Sequence, residues 1–238
     1  MKALLLNSGI GSRMGNLTAD RPKCMSEIGH GYTIISWQLE LLQRLGVRKI
    51  IITTGPFSDL LIDYVIGIAN GLDAEFVINP AYKDTNYIYS MYLAKQHLDD
   101  DILLLHGDLV LEQSVAEDLL RARYSAVAVD SSLDLPLKDF KAKICNGRIK
   151  AIGTDLFGDD CVACQPAYKF SKNDFKIWLR EIERFCQKGE TRVYAENALN
   201  CITDKINLFP LELNGRLCAE IDNAVDLKTV SQRFSEIL

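Results

Sequence analysis

The run Asn7-Ser8-Gly9-Ile10-Gly11-Ser12-Arg13-Met14-Gly15, followed by Arg21-Pro22-Lys23, concentrates the residue types that hold phosphate. Glycines let backbone N–H groups approach phosphate oxygens closely, and Arg13 and Lys23 bring cations to neutralise them. A tight turn would account for the glycines but not for the cations, since a turn requires none. Two carboxylates stand far downstream, each after a strand-like run: Asp108 after the apolar Ile102–His106 and Gly107, Asp222 after Leu217–Ile221. Magnesium takes oxygen ligands, commonly one or two carboxylates completed by substrate phosphates and water. Each aspartate also has a plainer reading, Asp108 as a turn residue and Asp222 as the cap of a final helix.

Two familiar phosphate-binding motifs do not fit. A Walker loop ends in Gly-Lys-Ser/Thr, whereas Gly11 is followed by Ser12-Arg13. A dinucleotide fingerprint needs a third glycine where Met14 stands, and an acid after the second strand, which ends Thr53-Thr54-Gly55. No Ser-His-Asp array is evident among only three histidines, and His106 reads as buried strand. Cys161 and Cys164 form a CxxC with no second ligand pair at zinc spacing, so they read as small apolar residues of a strand. The odd total of seven cysteines predicts reduced thiols and a cytoplasmic setting.

Composition narrows the class. The chain has 238 residues, 48% hydrophobic and 25% charged, with a net charge of −5 and no long Lys/Arg run. A nucleic-acid surface is disfavoured by that balance. The first apolar run, Ala3–Leu6, is too short for a signal peptide or a membrane span and reads as a buried strand.

Alternating signals place the candidate residues. Strands are predicted at Lys2–Asn7, Lys49–Thr53, Glu75–Ile78, Ile102–His106 and Ala126–Val129, with helices at Ile34–Leu45, Phe57–Ala69, Ile88–His97 and Ser114–Arg121 between them. Continuous apolar strands between amphipathic helices imply a Rossmann-like α/β fold, a mostly parallel mixed sheet flanked by helices. The second half begins with Lys141–Cys145 and Arg148–Ile152 around Asn146-Gly147, a hairpin signal. A strand at Ala163–Phe170, helices at Asn173–Gln187 and Tyr194–Thr203, strands at Ile206–Leu211 and Arg216–Ile221 and a last helix at Ala224–Ile237 complete the reading. We expect one compact domain over 1–238, with a nucleotide-binding half (1–130) and an acceptor-binding half (131–238).

Gly-x-Gly-x-Arg-Met followed about ten residues later by Pro-Lys resembles the signature of the sugar-phosphate nucleotidylyltransferases. The opening Leu6-Asn7-Ser8-Gly9 is similar to their small cytidylyltransferase branch, which includes CTP:phosphocholine and CTP:2-aminoethylphosphonate enzymes. Asn86-Tyr87-Ile88-Tyr89-Ser90-Met91, Gly107-Asp108 and Glu220-Ile221-Asp222 continue the match along the chain. The resemblance implies the nucleotide-diphospho-sugar transferase-like fold and Mg2+-dependent transfer of CMP from CTP to a phosphorylated or phosphonate acceptor, with pyrophosphate released. A phosphoglutamine acceptor in capsule modification, or a sugar-1-phosphate with UTP or dTTP, is an alternative within the same chemistry, and a role in cell-surface polysaccharide biosynthesis goes with the first. It further implies Arg13 and Lys23 as catalytic cations, Asp108 and Asp222 as metal ligands, and Asn7, Ser8, Gly9, Gly11 and Ser12 against the nucleotide. Asn86 and Ser90, one helical turn apart, are nucleotide contacts or else a cap and an ordinary helix residue. Tyr89, Tyr194 and Glu196 are assigned to the acceptor, whose ammonium the tyrosines near Asn86 would face. No nucleic-acid or membrane partner is expected, and a homodimer is left open.

Overall fold

In β1 (Lys2–Asn7), Ala3 and Leu5 pack into one core while Leu4 and Leu6 pack into another. A strand buried on both faces needs a layer of helices on each side, and the computed structural model has them. It describes residues 1–238, the side chain of Asn16 excepted.

After β1 come two short 3-10 turns (Ser12–Thr18, Lys23–Met25), a small hairpin β2 (Glu27–Gly29) and β3 (Tyr32–Thr33), and helix α1 (Ile34–Arg44). Thr33 and Ser36 form a capping box at its start, and Gly46, at φ +76°, ends it in the left-handed conformation. β4 (Lys49–Thr54), α2 (Ser58–Ile68), β5 (Asp73–Ile78), α3 (Tyr87–Ala94), β6 (Ile102–His106), β7 (Leu109–Leu111), α4 (Gln113–Arg121) and β8 (Ser125–Asp130) follow. The remainder is β9 (Lys141–Cys145), β10 (Arg148–Gly153), β11 (Cys161–Phe170), α5 (Lys172–Gln187), α6 (Ala195–Asn200), β12 (Leu208–Glu212), β13 (Cys218–Glu220) and α7 (Ala224–Ile237).

The main sheet runs β10-β9-β11-β6-β1-β4-β5, with β8 paired to β11 and β12 to β8. β6, β1, β4 and β5 are mutually parallel, whereas β11 enters antiparallel against β6, β8 and β9. Helices α1, α2, α4 and α7 contribute to one core, and α3, α5 and α6 to the other. Each fully buried aliphatic side chain there contributes about 1.5–3 kcal/mol, so these two cores, not the polar edge, carry the stability.

The expected helix Ile88–His97 closes as an α-helix at Ala94 and continues as a 3-10 turn, Lys95–His97. Tyr194–Thr203 shrinks to Ala195–Asn200, and Arg216–Ile221 to Cys218–Glu220. Asn146 and Gly147 both have positive φ, as a two-residue hairpin requires, and join β9 to β10.

Candidate active site

Parallel β1, β5 and β6 end at one edge of the sheet, and the loops that leave them line a cavity of about 390 Å3. Their approach depends on two glycines. A Cβ on Gly107 would lie 2.0 Å from Asn7 Oδ1, and one on Gly55 2.5 Å from the Ser8 carbonyl oxygen. Only glycine lets these loops pack so closely.

Four charged side chains meet at the cavity wall. Lys23 Nζ donates to Asp108 Oδ2 and to Asp222 Oδ1, each at 2.6 Å. Arg13 pairs with the same Asp222 oxygen at 2.8 Å while remaining mostly exposed. The aspartates are distant in sequence, and a two-stranded ribbon brings them together. β13 pairs antiparallel with β7, Glu220 opposite Leu109, and Ile221 N donates to Asp108 O at 3.0 Å. Asn223 then caps α7, and Asp226 accepts from the Asp222 N–H, which sets the carboxylate at the ribbon's end. Asp222 is thus the residue before the cap, not the cap. Lys23 opens its own short turn behind Pro22, with Cys24 buried beneath it.

Helix α1 braces the other aspartate. Gln38, fully buried, donates from Nε2 to His106 O at 2.9 Å and to Leu109 O at 2.8 Å, one bond on either side of Gly107-Asp108. Trp37 Nε1 donates to Leu111 O a step further on.

Electrostatics follow from this crowding. Burial disfavours the Lys23 ammonium, but the Asp108 and Asp222 carboxylates outweigh it and hold its pKa above the usual lysine value. Burial likewise pushes the Asp108 carboxyl up, and Lys23 and His106 more than offset it, so it stays ionised below the ordinary range. Glu220 is different: burial, then the Asp108 charge, push it up to about 7 against the pull of His106. His106 Nδ1 lies 3.2 Å from Glu220 Oε1.

Several buried polar atoms here have no partner within the described residues: Asn7 Oδ1 and Nδ2, Ser8 Oγ, His106 Nε2 and Asp108 Oδ1. All four residues line the cavity. Buried polar atoms are nearly always paired, so such a group facing one cavity is what a bound polar ligand would satisfy.

The cavity also takes in Gly9, Gly11, Ser12, Asn86 and Ser90. Asn86 is at once cap and lining residue, its side chain accepting from Tyr87 N. Ser90 is fully buried and accepts from Asn79 Nδ2 at 3.0 Å. The tyrosines near Asn86 do not form one ring pocket. Tyr82 and Tyr87 line the cavity, whereas Tyr89 and Tyr92 stack on each other 5.9 Å apart and do not. Tyr194 packs on Tyr87 and Phe140 outside the lining. Glu196 is buried, accepting from the hydroxyls of Tyr87 and Tyr168, so it braces Tyr87 from behind. His106, read as strand filling, instead presents its ring to the cavity and meets Tyr87 edge-on at 4.7 Å. Asn79 and Lys83 also line it and were not anticipated, although Asn79-Pro80 after a strand is a turn signal.

A family profile described as the MobA-like NTP transferase domain matches residues 3–167. The chain belongs to that family. As an NTP transferase, it is 29% identical to a CTP:phosphoglutamine cytidylyltransferase of Campylobacter jejuni, over 96% of this chain and 98% of the relative. The choline-phosphate cytidylyltransferase of Streptococcus pneumoniae is 24% identical, over 98% and 97%. A CMP-5'-(3-aminopropyl)phosphonate synthase of Streptomyces rubellomurinus is 31% identical over 67% of this chain and 25% of its own. Among solved structures, the CTP:phosphocholine cytidylyltransferase of Streptococcus pneumoniae superposes with a TM-score of 0.80 at 19% identity, covering 98% of both chains. The fold of this NTP transferase is therefore that of the nucleotidyltransferases.

The brace from α1 yields a first prediction. Gln38→Leu in this NTP transferase keeps the volume but leaves two buried carbonyls without donors, which costs about 1–3 kcal/mol in urea unfolding. Because Asp108 sits between those carbonyls, kcat should fall as well. A native kcat in the destabilised variant would show that the turn holds itself.

Proposed function

We propose that this NTP transferase moves CMP from CTP to a small phosphorylated or phosphonate acceptor with a nitrogen-bearing end, releasing pyrophosphate. The observation that carries it is the Lys23 ammonium bridging Asp108 and Asp222 beside Arg13, on the wall of a cavity where several other buried polar atoms lack partners. The choice of CTP is supported by relatives named as cytidylyltransferases along nearly the whole chain.

The step joins an acceptor phosphoryl oxygen to the α-phosphorus as the bond to the β-phosphate oxygen breaks. A phosphate monoester has its second pKa near ~6, so the nucleophile is already ionised at neutral pH and no general base is required. What remains is repulsion between two anions, and fixed cations overcome it by holding both groups in line. Arg13 grips the β- and γ-phosphates. Lys23 holds the α-phosphate or the incoming phosphoryl group. Asn7, Ser8, Gly9, Gly11 and Ser12 lie along the nucleotide, with Asn86 and Ser90 at its far side. Asp108 and Asp222 are the residues that would hold Mg2+, and the unpartnered Asp108 Oδ1 fits a hard, oxygen-seeking ion. Such an ion supplies Lewis-acid stabilisation of the phosphate charge when bound.

The nucleotide half (1–130) supplies most of this set, and the acceptor half (131–238) supplies Asp222 and the residues behind it. Tyr82 and Tyr87 give the cavity aromatic faces, with the Glu196 carboxylate behind Tyr87, which suits an ammonium. Pyrophosphate release should be fastest with CTP among CTP, UTP, dTTP, ATP and GTP. Phosphoglutamine, phosphocholine, phosphoethanolamine or 2-aminoethylphosphonate should surpass glucose-1-phosphate and inositol-1-phosphate in kcat/KM. Preference for UTP or dTTP would sink the cytidylyl assignment, and a polyol phosphate in first place would sink the nitrogen-bearing acceptor alone.

A further inference from the structure

We infer that Lys23 occupies the cation position between Asp108 and Asp222 in the unliganded protein, and that a divalent ion enters only by displacing it. This rests on the proposed placement of the metal on those two aspartates. The geometry leaves little alternative. Lys23 Nζ is within 2.6 Å of one oxygen of each carboxylate, and its side chain is only 13% exposed. The two aspartate side chains are only 21% and 15% exposed, and an ion that took the unpartnered Asp108 Oδ1 together with Asp222 would still lie beside the ammonium. An ion shared by both carboxylates would compete for the position the ammonium fills. Two cations cannot share it, because at that separation in a partly buried site their repulsion is large.

Lysine suits this part because its charge rides on a flexible four-carbon stem and can leave without the backbone moving. Arg13 holds Asp222 Oδ1 from the open side and is 66% exposed, so it yields more easily. The released ammonium needs a new anion, and the phosphates of an incoming triphosphate supply one in the same cavity. Metal entry and delivery of Lys23 to the phosphates are then a single exchange. Until it occurs, the ammonium, with Arg13 beside it, offsets the charge of two neighbouring carboxylates. By linkage, the cost of displacing Lys23 weakens metal binding to the nucleotide-free protein, and nucleotide that captures Lys23 restores it.

The test is Mn2+ binding, followed by electron paramagnetic resonance without nucleotide, in the native protein and in Lys23→Met and Lys23→Gln. Both variants should bind Mn2+ at least about tenfold more tightly than native, since binding no longer breaks two charge-assisted hydrogen bonds. Two variants of different polarity are used so that a folding defect in one leaves the other informative, and circular dichroism reports the fold of each. Affinities in both folded variants equal to or weaker than native would overturn the exchange. Asp108→Asn placed on Lys23→Met separates this from the underlying reading. If that double variant binds Mn2+ as tightly as Lys23→Met, the ion lies elsewhere and the metal placement fails. If it loses binding while native and Lys23→Met match, the placement stands and the exchange alone is wrong.

Discussion

Asp108→Asn and Asp222→Asn should each lower kcat by about three orders of magnitude in a protein that still folds, because each removes several kcal/mol of charge stabilisation at 1.36 kcal/mol per tenfold. The fold should survive because its stability comes from two apolar cores in which neither residue takes part. Asparagine keeps the size and one acceptor oxygen while removing the charge that Lys23 and a hard cation both require. The size of the loss decides between readings. If the aspartates merely oriented Lys23, each change would remove one hydrogen bond to a charged group, about 1.5–3 kcal/mol, and the other carboxylate would still hold the ammonium. A deficit of about a hundredfold or less, in variants shown to be folded by circular dichroism, would leave them that lesser role. EDTA should arrest the native enzyme, and added Mg2+ should restore it.

The parts of this architecture visible in the sequence are those with local causes. Strand β1 and strand β6 are continuous apolar runs because both of their faces are covered, and Asn146-Gly147 marks a hairpin because both residues accept positive φ. The cation pair Arg13 and Lys23 stood out because no turn requires it. What was illegible depends on partners distant in the chain. Nothing in Gln38 distinguishes it from a solvent-facing glutamine of a helix, yet it clamps the Asp108 turn from 68 and 71 residues away. The β7 strand is only three residues long and too short for periodicity, so the ribbon that joins Asp108 to Asp222 had no sequence signal of its own. Glu196 reads from the sequence as an acceptor contact, because helical spacing does not reveal that Tyr87 and Tyr168 aim their hydroxyls at it. His106 was assigned to the interior by its apolar neighbours, and it is buried, but its Nε2 lacks a partner and its ring borders the cavity.

Gly107→Ala should lower kcat/KM by about a hundredfold, since a misplacement near 1 Å in a catalytic arrangement costs on that order. The added Cβ would stand 2.0 Å from Asn7 Oδ1, 2.6 Å from Asn7 Cγ and 2.7 Å from the Leu6 carbonyl oxygen. The first two contacts can be relieved by moving the Asn7 side chain, which the structure places on the cavity wall. The third cannot, because it is backbone of β1, and Gly107 N also donates to that same carbonyl at 3.0 Å. Strain must therefore pass into the turn that carries Asp108, next to the Lys23 contact. Stability should suffer less than activity, because the Asn7 side-chain amide has no hydrogen bond within the described residues to lose. The double variant Asn7→Ala, Gly107→Ala separates the two routes. It removes the side-chain clash and retains the backbone one, so partial recovery over Gly107→Ala alone would show that Asn7 transmits part of the damage. With Asn7→Ala alone as the reference for the lost nucleotide contact, no recovery would place the whole effect in the shift of Asp108 against Leu6. A Gly107→Ala enzyme with native kcat/KM would mean that this edge of the sheet yields freely, and that the close approach of Asn7 to Gly107 plays no part in the site.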